Sequence, residues 1–137
     1  MPQRTPAQER LDTEVATRLM GFRWVEWSVP VEGPLYEPGR FLARSREITS
    51  NLHREVGEDR PLHEQPLARV PRYSARMDPA MAAAESAGLF VDGKAVLFRD
   101  PDGTWVIEVR GLRLESRSLP ELVCRAALEW SAAGKGS

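Results

Sequence analysis

Cysteine is nearly missing from this chain: Cys124 stands alone among 137 residues. A single thiol cannot close an intramolecular disulfide, and no Cys-x-x-Cys or Cys/His spacing accompanies it. A zinc site is therefore not indicated, and a reducing compartment is expected. Lysine is almost as scarce, with Lys94 and Lys135 the two examples, so the basic charge is carried by arginine. GC-rich coding explains that bias more simply than thermophily, for which Arg-for-Lys replacement is an unreliable mark. Charge of one sign is lacking too. The formal net charge is −1, which argues against a nucleic-acid coat or a membrane-surface protein. No apolar run approaches the ~20 residues that span a bilayer. Met1-Pro-Gln-Arg-Thr-Pro6 has no apolar core of the kind a signal peptide carries. The expectation is a cytoplasmic protein with no membrane partner, no metal and no cofactor.

What is present suffices for one domain, expected over residues 1–132 with a disordered tail at 133–137. Leu11, Val15, Ala16 and Leu19 form an apolar stripe at helical spacing, which predicts a helix over Ala7–Met20, stopped by Gly21. Phe22–Val29 reads as a strand with aromatics on both faces. Six prolines between Pro30 and Pro71 mark an irregular Arg/Pro-rich insertion over about 30–71. A weak stripe (Phe41, Ile48, Leu52) predicts one helix within it, from Gly39 to Glu55. Asp78 and Pro79 suit the N-cap and first position of a helix that Gly88 ends. Leu89-Phe-Val91 reads as the start of a strand, with Asp92-Gly93 as a turn.

The strongest patterns come last. Lys94–Arg99 and Thr104–Arg110 are strand sequences around the turn Asp100-Pro-Asp-Gly103. Gly111 marks a bulge or turn, and Leu112–Glu115 alternates as a short strand. Ser118 and Glu121 fit a capping box, and Leu119, Leu122, Val123, Ala126, Ala127 and Trp130 follow at helical period. Antiparallel strands with helices before and after predict an α+β fold, ordered helix, strand, long insertion, helix, strands, helix.

Few residues are left over for chemistry. Cys124 lies among apolar neighbours and reads as core. His53 and His63 lack a metal-ligand spacing and read as a solvated polar loop. Trp24 and Trp27 fall on opposite faces of one strand, so at most one can line a pocket. The least ordinary feature is the arginine set of the middle segment, interleaved with Tyr36 and Tyr73. Guanidinium groups grip phosphates and carboxylates in pairs of hydrogen bonds, and aromatic rings stack on bases. Arg40, Arg44, Arg72, Tyr73, Ser74 and Arg76 are accordingly the candidate ligand-binding residues, near the amides that open the Ala80 helix. No clustered carboxylates or His-based constellation support a hydrolase, so no enzyme is expected.

Three pieces of the chain resemble the phage ABA sandwich domain family of small phage and prophage proteins. They are Val15-Ala-Thr-Arg-Leu-Met-Gly-Phe-Arg-Trp24, Pro71-Arg-Tyr-Ser-Ala-Arg-Met-Asp-Pro-Ala-Met-Ala-Ala-Ala-Glu85, and the strand pair followed by Pro120-Glu-Leu-Val-Cys-Arg-Ala-Ala-Leu128. The resemblance covers about the first 29 residues and Pro71–Trp130; the Arg-rich middle departs from it, as does Ala75-Arg76 where the family places a Thr-Asp pair. It implies an α/β/α sandwich with a small antiparallel sheet and a phage or prophage origin, and supplies no catalytic residues. The functional expectation is a non-enzymatic accessory protein that binds a small anionic, nucleotide-like molecule. The alternative is a protein–protein interaction or host-inhibitor module, homodimeric or directed at a host protein, with no small-molecule ligand.

Overall fold

The structure, a computed structural model, describes residues 3–28, 39–91 and 94–133. It is an α+β protein, with three helices and two antiparallel three-stranded sheets among the described residues. The chain divides into two compact units, one formed by Met1–Met20 with Pro71–Ser137 and the other by Gly21–Val70. The expected tail beyond Ala133 and the Asp92-Gly93 turn lie outside the described residues.

The larger unit opens with α1, Pro6–Arg18. Thr5 caps it by accepting from the Gln8 N–H, while the Gln8 side chain accepts from the Thr5 N–H. That reciprocal pair satisfies two of the amides every helix start leaves open. α2 spans Met77–Ala87. Arg76 occupies its N-cap without a side-chain bond, so Asp78 is not the cap; it sits in the first turn. Pro79 is tolerated there because amides in the first turn have no intrahelical acceptor to lose. Gly88 closes α2 at φ +74, and the Leu89 N–H folds back to the Ala84 carbonyl. The expected strand at Leu89–Val91 is instead this terminating turn, because Leu89 is committed to the helix end and fully buried.

Three strands follow as a meander: β4 (Val96–Arg99), β5 (Trp105–Val109) and β6 (Leu112–Ser116), in the spatial order β4-β5-β6. Asp100–Gly103 makes the first turn, with the Gly103 N–H on the Asp100 carbonyl at 2.9 Å. Arg110 and Gly111 make the second. Both have positive φ (42° and 87°), as a two-residue type I′ hairpin turn requires, so Gly111 marks a turn and not a bulge. α3, Leu119–Ala132, is capped by Ser118, whose Oγ accepts from the Glu121 N–H. Seven of its side chains are buried, from Leu122 to Trp130, and the helix packs on α1, α2, β5 and β6. It is the hub of this unit's core.

In Gly21–Val70, β1 (Arg23–Trp27) is the central strand, with β2 (Phe41–Ala43) and β3 (His53–Glu55) paired antiparallel on its two sides. Since β1 joins the middle segment, that segment's unit starts at Gly21 and not at Pro30. A 3-10 turn at Ser45–Glu47 links β2 toward β3, and Glu47 Oε1 accepts from the Arg44 N–H. The helix expected over Gly39–Glu55 is absent from these residues. Its apolar stripe was weak, while β1 offered two open edges, and Phe41, Leu42 and Ala43 are each buried by that pairing. Tertiary context overrode a marginal local preference.

Candidate functional site: an aromatic cleft in the Gly21–Val70 unit

Strand register assembles the site. Trp27 on β1 stands opposite His53 on β3, and Val25 opposite Phe41 on β2. Directly opposed residues share a face, so two aromatic rings and an imidazole from three strands meet. The Trp27 and His53 ring centroids are 4.6 Å apart, and Phe41 lies 6.1 Å from Trp27 and 5.8 Å from His53. Val25, Ala43 and Ile48 complete this cluster.

The run after β3 supplies the second wall. The Arg40 N–H donates to the Pro61 carbonyl at 2.7 Å, the His63 N–H to the Arg40 carbonyl at 2.8 Å, and the Leu42 N–H to the Pro66 carbonyl at 3.0 Å. Residues 61–66 thus lie alongside β2. Gly39 permits this approach: it has φ +131, and a Cβ there would stand 2.8 Å from the main chain of Leu62 and His63. His63 is thereby set edge-on to Phe41 at 5.6 Å, and the Arg69 guanidinium lies over the same ring at 5.0 Å.

Between these walls is a cleft of about 230 Å³, lined by Trp27, Phe41, His63, Gln65, Pro66 and Arg69 among others. Pockets for drug-sized ligands begin near ~300 Å³, so this one suits a single ring system with polar substituents left at the mouth. Arg69 is exposed, and among the described residues it makes no ion pair. His53 beneath is 6% exposed. Its Nδ1 accepts from the Thr49 N–H at 3.1 Å, which sets the neutral ring's proton on Nε2. Nε2 is buried with no hydrogen-bond partner among the described residues. Burial first, and the nearby Arg69 charge second, hold the His53 pKa below the usual histidine value. His53 is therefore a neutral ring in an aromatic stack, and the expectation of a solvated histidine loop is corrected.

The residues singled out in the sequence fall into both units. Arg40 and Arg44 lie in the smaller one, where Arg40 stacks on Trp24 at 4.0 Å and Arg44 on Phe22 at 5.0 Å. Arg40 Nε also donates to the Arg60 carbonyl at 2.8 Å. These two guanidinium groups cover aromatic rings of the unit that carries them. Arg54 and Arg23 are paired with Glu26 and Glu55 between β1 and β3. Arg72, Tyr73, Ser74 and Arg76 belong to the larger unit. Tyr73 is 1% exposed and Ser74 3%, so both are packed inside and do not present a ligand surface. The Ser74 N–H donates to Asp12 Oδ1 at 2.8 Å, and the Tyr73 carbonyl accepts from Cys124 Sγ at 3.1 Å. Arg72 is half-buried and Arg76 exposed at the start of α2.

Sequence reasoning did not single out Phe41, Arg69 and His63 as parts of one site. The available signal was Trp27 and His53 as ring-bearing residues of strand-like runs, but their pairing requires β3, which the helical reading hid. Among the described residues no group of three or more His, Cys, Asp or Glu side chains could hold a metal ion. No family model, curated protein or solved structure matches the chain.

Proposed function

We propose that this chain is a non-enzymatic binding protein whose Gly21–Val70 unit takes a small, anionic, nucleotide-like ligand in the Trp27/Phe41 cleft. The observation that carries the reading is the coincidence of aromatic walls with an exposed guanidinium at one cleft of single-ring size. A flat heterocycle gains stacking against Trp27 or Phe41, worth ~1–3 kcal/mol for base–aromatic contacts. Arg69 supplies a two-pronged donor for phosphate or carboxylate at the mouth. An accessory role in a phage or prophage, and a place in the host cytoplasm, rest on the family resemblance alone. In such a setting, sequestering a host signalling nucleotide is the role this chemistry suits.

Isothermal titration against a panel of nucleotides and cyclic nucleotides, read together with tryptophan fluorescence, tests the proposal. The expected result is binding by at least one member, with fluorescence quenching. Trp27→Ala and Arg69→Ala should each weaken it ~10-fold or more, about 1.4 kcal/mol. Folded protein that shows neither heat nor quenching at high micromolar ligand removes the reading.

The protein–protein alternative is favoured by one different observation, the apolar edge of β4. Val96 is 54% exposed and Leu97 38% exposed on a strand with a single strand neighbour among the described residues.

A further inference from the structure

An edge strand presents a row of main-chain donors and acceptors, and proteins usually blunt such edges with charge. The β4-β5-β6 sheet does this on one side only. β6 carries Arg113 and Glu115, both half-exposed and joined in an ion-pair network with Glu108. β4 opens with exposed Val96 and Leu97, flanked by the charges of Lys94 before it and Arg99 and Asp100 at and after its end.

The hydrogen-bond alternation says which residues the β4 edge offers. The Asp100 N–H donates across the hairpin to the Thr104 carbonyl at 2.8 Å. Residues 98 and 96 therefore turn their main chain toward β5 as well, and residues 95, 97 and 99 turn theirs to the open side. A second antiparallel strand must hydrogen-bond to Ala95, Leu97 and Arg99.

We propose that two copies of this chain pair through β4, antiparallel about a two-fold axis at Leu97, to make one six-stranded sheet β6-β5-β4-β4-β5-β6. This register sets Leu97 against its own copy and Ala95 against Arg99, so that each outward-facing residue meets an outward-facing residue. About six main-chain hydrogen bonds form. On the opposite face Val96 meets Phe98, and Lys94 meets Asp100, twice by symmetry. The Lys94 ammonium carries three donors, so a contact it already makes does not exclude this one. Sliding one strand by two residues toward Asp100 puts Leu97 against Arg99 and Val96 against Asp100, which leaves apolar groups opposite charges.

The second copy is favoured over an unrelated strand because the sheet's own apolar row is continued by it. Leu114, Ile107 and Leu97 stand in line across β6, β5 and β4. Two-fold pairing joins that row to its duplicate, ending with ending, and covers Val96 and Leu97 together. The proposal does not depend on the ligand cleft, which lies in the other unit.

Analytical ultracentrifugation of the full chain over a concentration series, with circular dichroism as the folding control, is the test. The wild type should show a monomer–dimer equilibrium. Leu97→Lys, which places two ammonium groups on the axis, should raise the dissociation constant ~10-fold or more with unchanged circular dichroism. Lys94→Asp and Asp100→Lys should each weaken association, and the double variant should restore it. Leu97→Cys should give an oxidised covalent dimer, since hydrogen-bonded antiparallel pairs have Cα atoms ~5.5 Å apart, within disulfide reach. Val96→Cys should not. A strict monomer at the highest soluble concentration overturns the proposal. So does a dimer indifferent to Leu97→Lys, a Val96→Cys protein that cross-links as readily as Leu97→Cys, or a monomer whose β4 edge takes only a foreign peptide strand.

Discussion

Asp12 is the carboxylate on which the larger unit's interior depends. It is 1% exposed, accepts from Arg4 Nε at 2.8 Å, and accepts from the Ser74 N–H through its other oxygen. It thereby fixes the segment that enters α2 to the buried side of α1. Asp12→Ala leaves the buried Ser74 amide without its acceptor and removes the Asp12 partner of Arg4. The expected loss in denaturant unfolding is about 3 kcal/mol, the low end for breaking a buried pair because Arg4 reaches solvent. Asp12→Asn keeps an acceptor for Ser74 and should lose less; equal losses would mean that the charge carries the interaction and the neutral acceptor adds nothing. His53 carries a second prediction. Its folded pKa lies below that of the unfolded chain, which is near ~6.5. As pH falls below that value the unfolded chain binds the proton first, so stability is full above it and falls until pH drops under the folded pKa. The unfolding midpoint should decrease as pH falls through the unfolded value near ~6.5, and His53→Gln should flatten that part of the profile. Cys124 is the opposite kind of buried group: burial pushes its thiol up to about 12, so it is a packing residue with no nucleophilic character near neutrality.

At the scale of elements, glycine and the short β2 strand decide whether the cleft exists. Gly39 holds φ +131 where Cβ would press on the Leu62 and His63 main chain at 2.8 Å. Gly39→Ala should therefore cost about 1–3 kcal/mol, the usual range for a strained backbone position, and displace residues 61–66 from β2. Loss of Trp27 fluorescence response together with a lowered unfolding midpoint would register both effects; an unaltered midpoint would show that the 61–66 run is not held as described. Arginine has a matching role at this scale. Arg40, Arg44, Arg69, Arg99 and Arg110 each lie over an aromatic ring, at 4.0 to 6.0 Å. A planar guanidinium stacks where an ammonium cannot, so the near-absence of lysine has a structural use whatever its origin in coding. The Ser118 cap and the Gly88 stop were legible because they are local. Ser118 sits just before an apolar period and bonds to the amide three residues on, whereas Thr5 makes the same bond to Gln8 without having been singled out in the sequence.

For the whole molecule, each unit supplies its own core and carries its own candidate surface, the cleft in Gly21–Val70 and the β4 edge in the other. A ligand that binds only the folded cleft stabilises it by RT ln(1 + [L]/Kd), about 2.7 kcal/mol at a hundredfold excess over Kd. In amide hydrogen exchange, bound nucleotide should slow β1, β2 and β3, while α3 keeps its unliganded rates. Protection confined to α2 and α3 would place the ligand at the Arg72–Arg76 segment instead of the cleft.

The sequence by itself determined the α+β class, the meander with its turns, the three described helices, the Ser118 cap and the Gly88 stop. Each of these is written in contacts within a few residues, where side-chain period and turn chemistry act without help. Only the tertiary structure decided that the middle segment makes strands, that Tyr73 and Ser74 are inside, and that Trp27, Phe41, His63 and Arg69 share a cleft. Those outcomes depend on pairing between residues far apart in the chain. β1 could find β2 and β3 only once the fold had brought them together, and its two open edges outweighed a weak helical stripe.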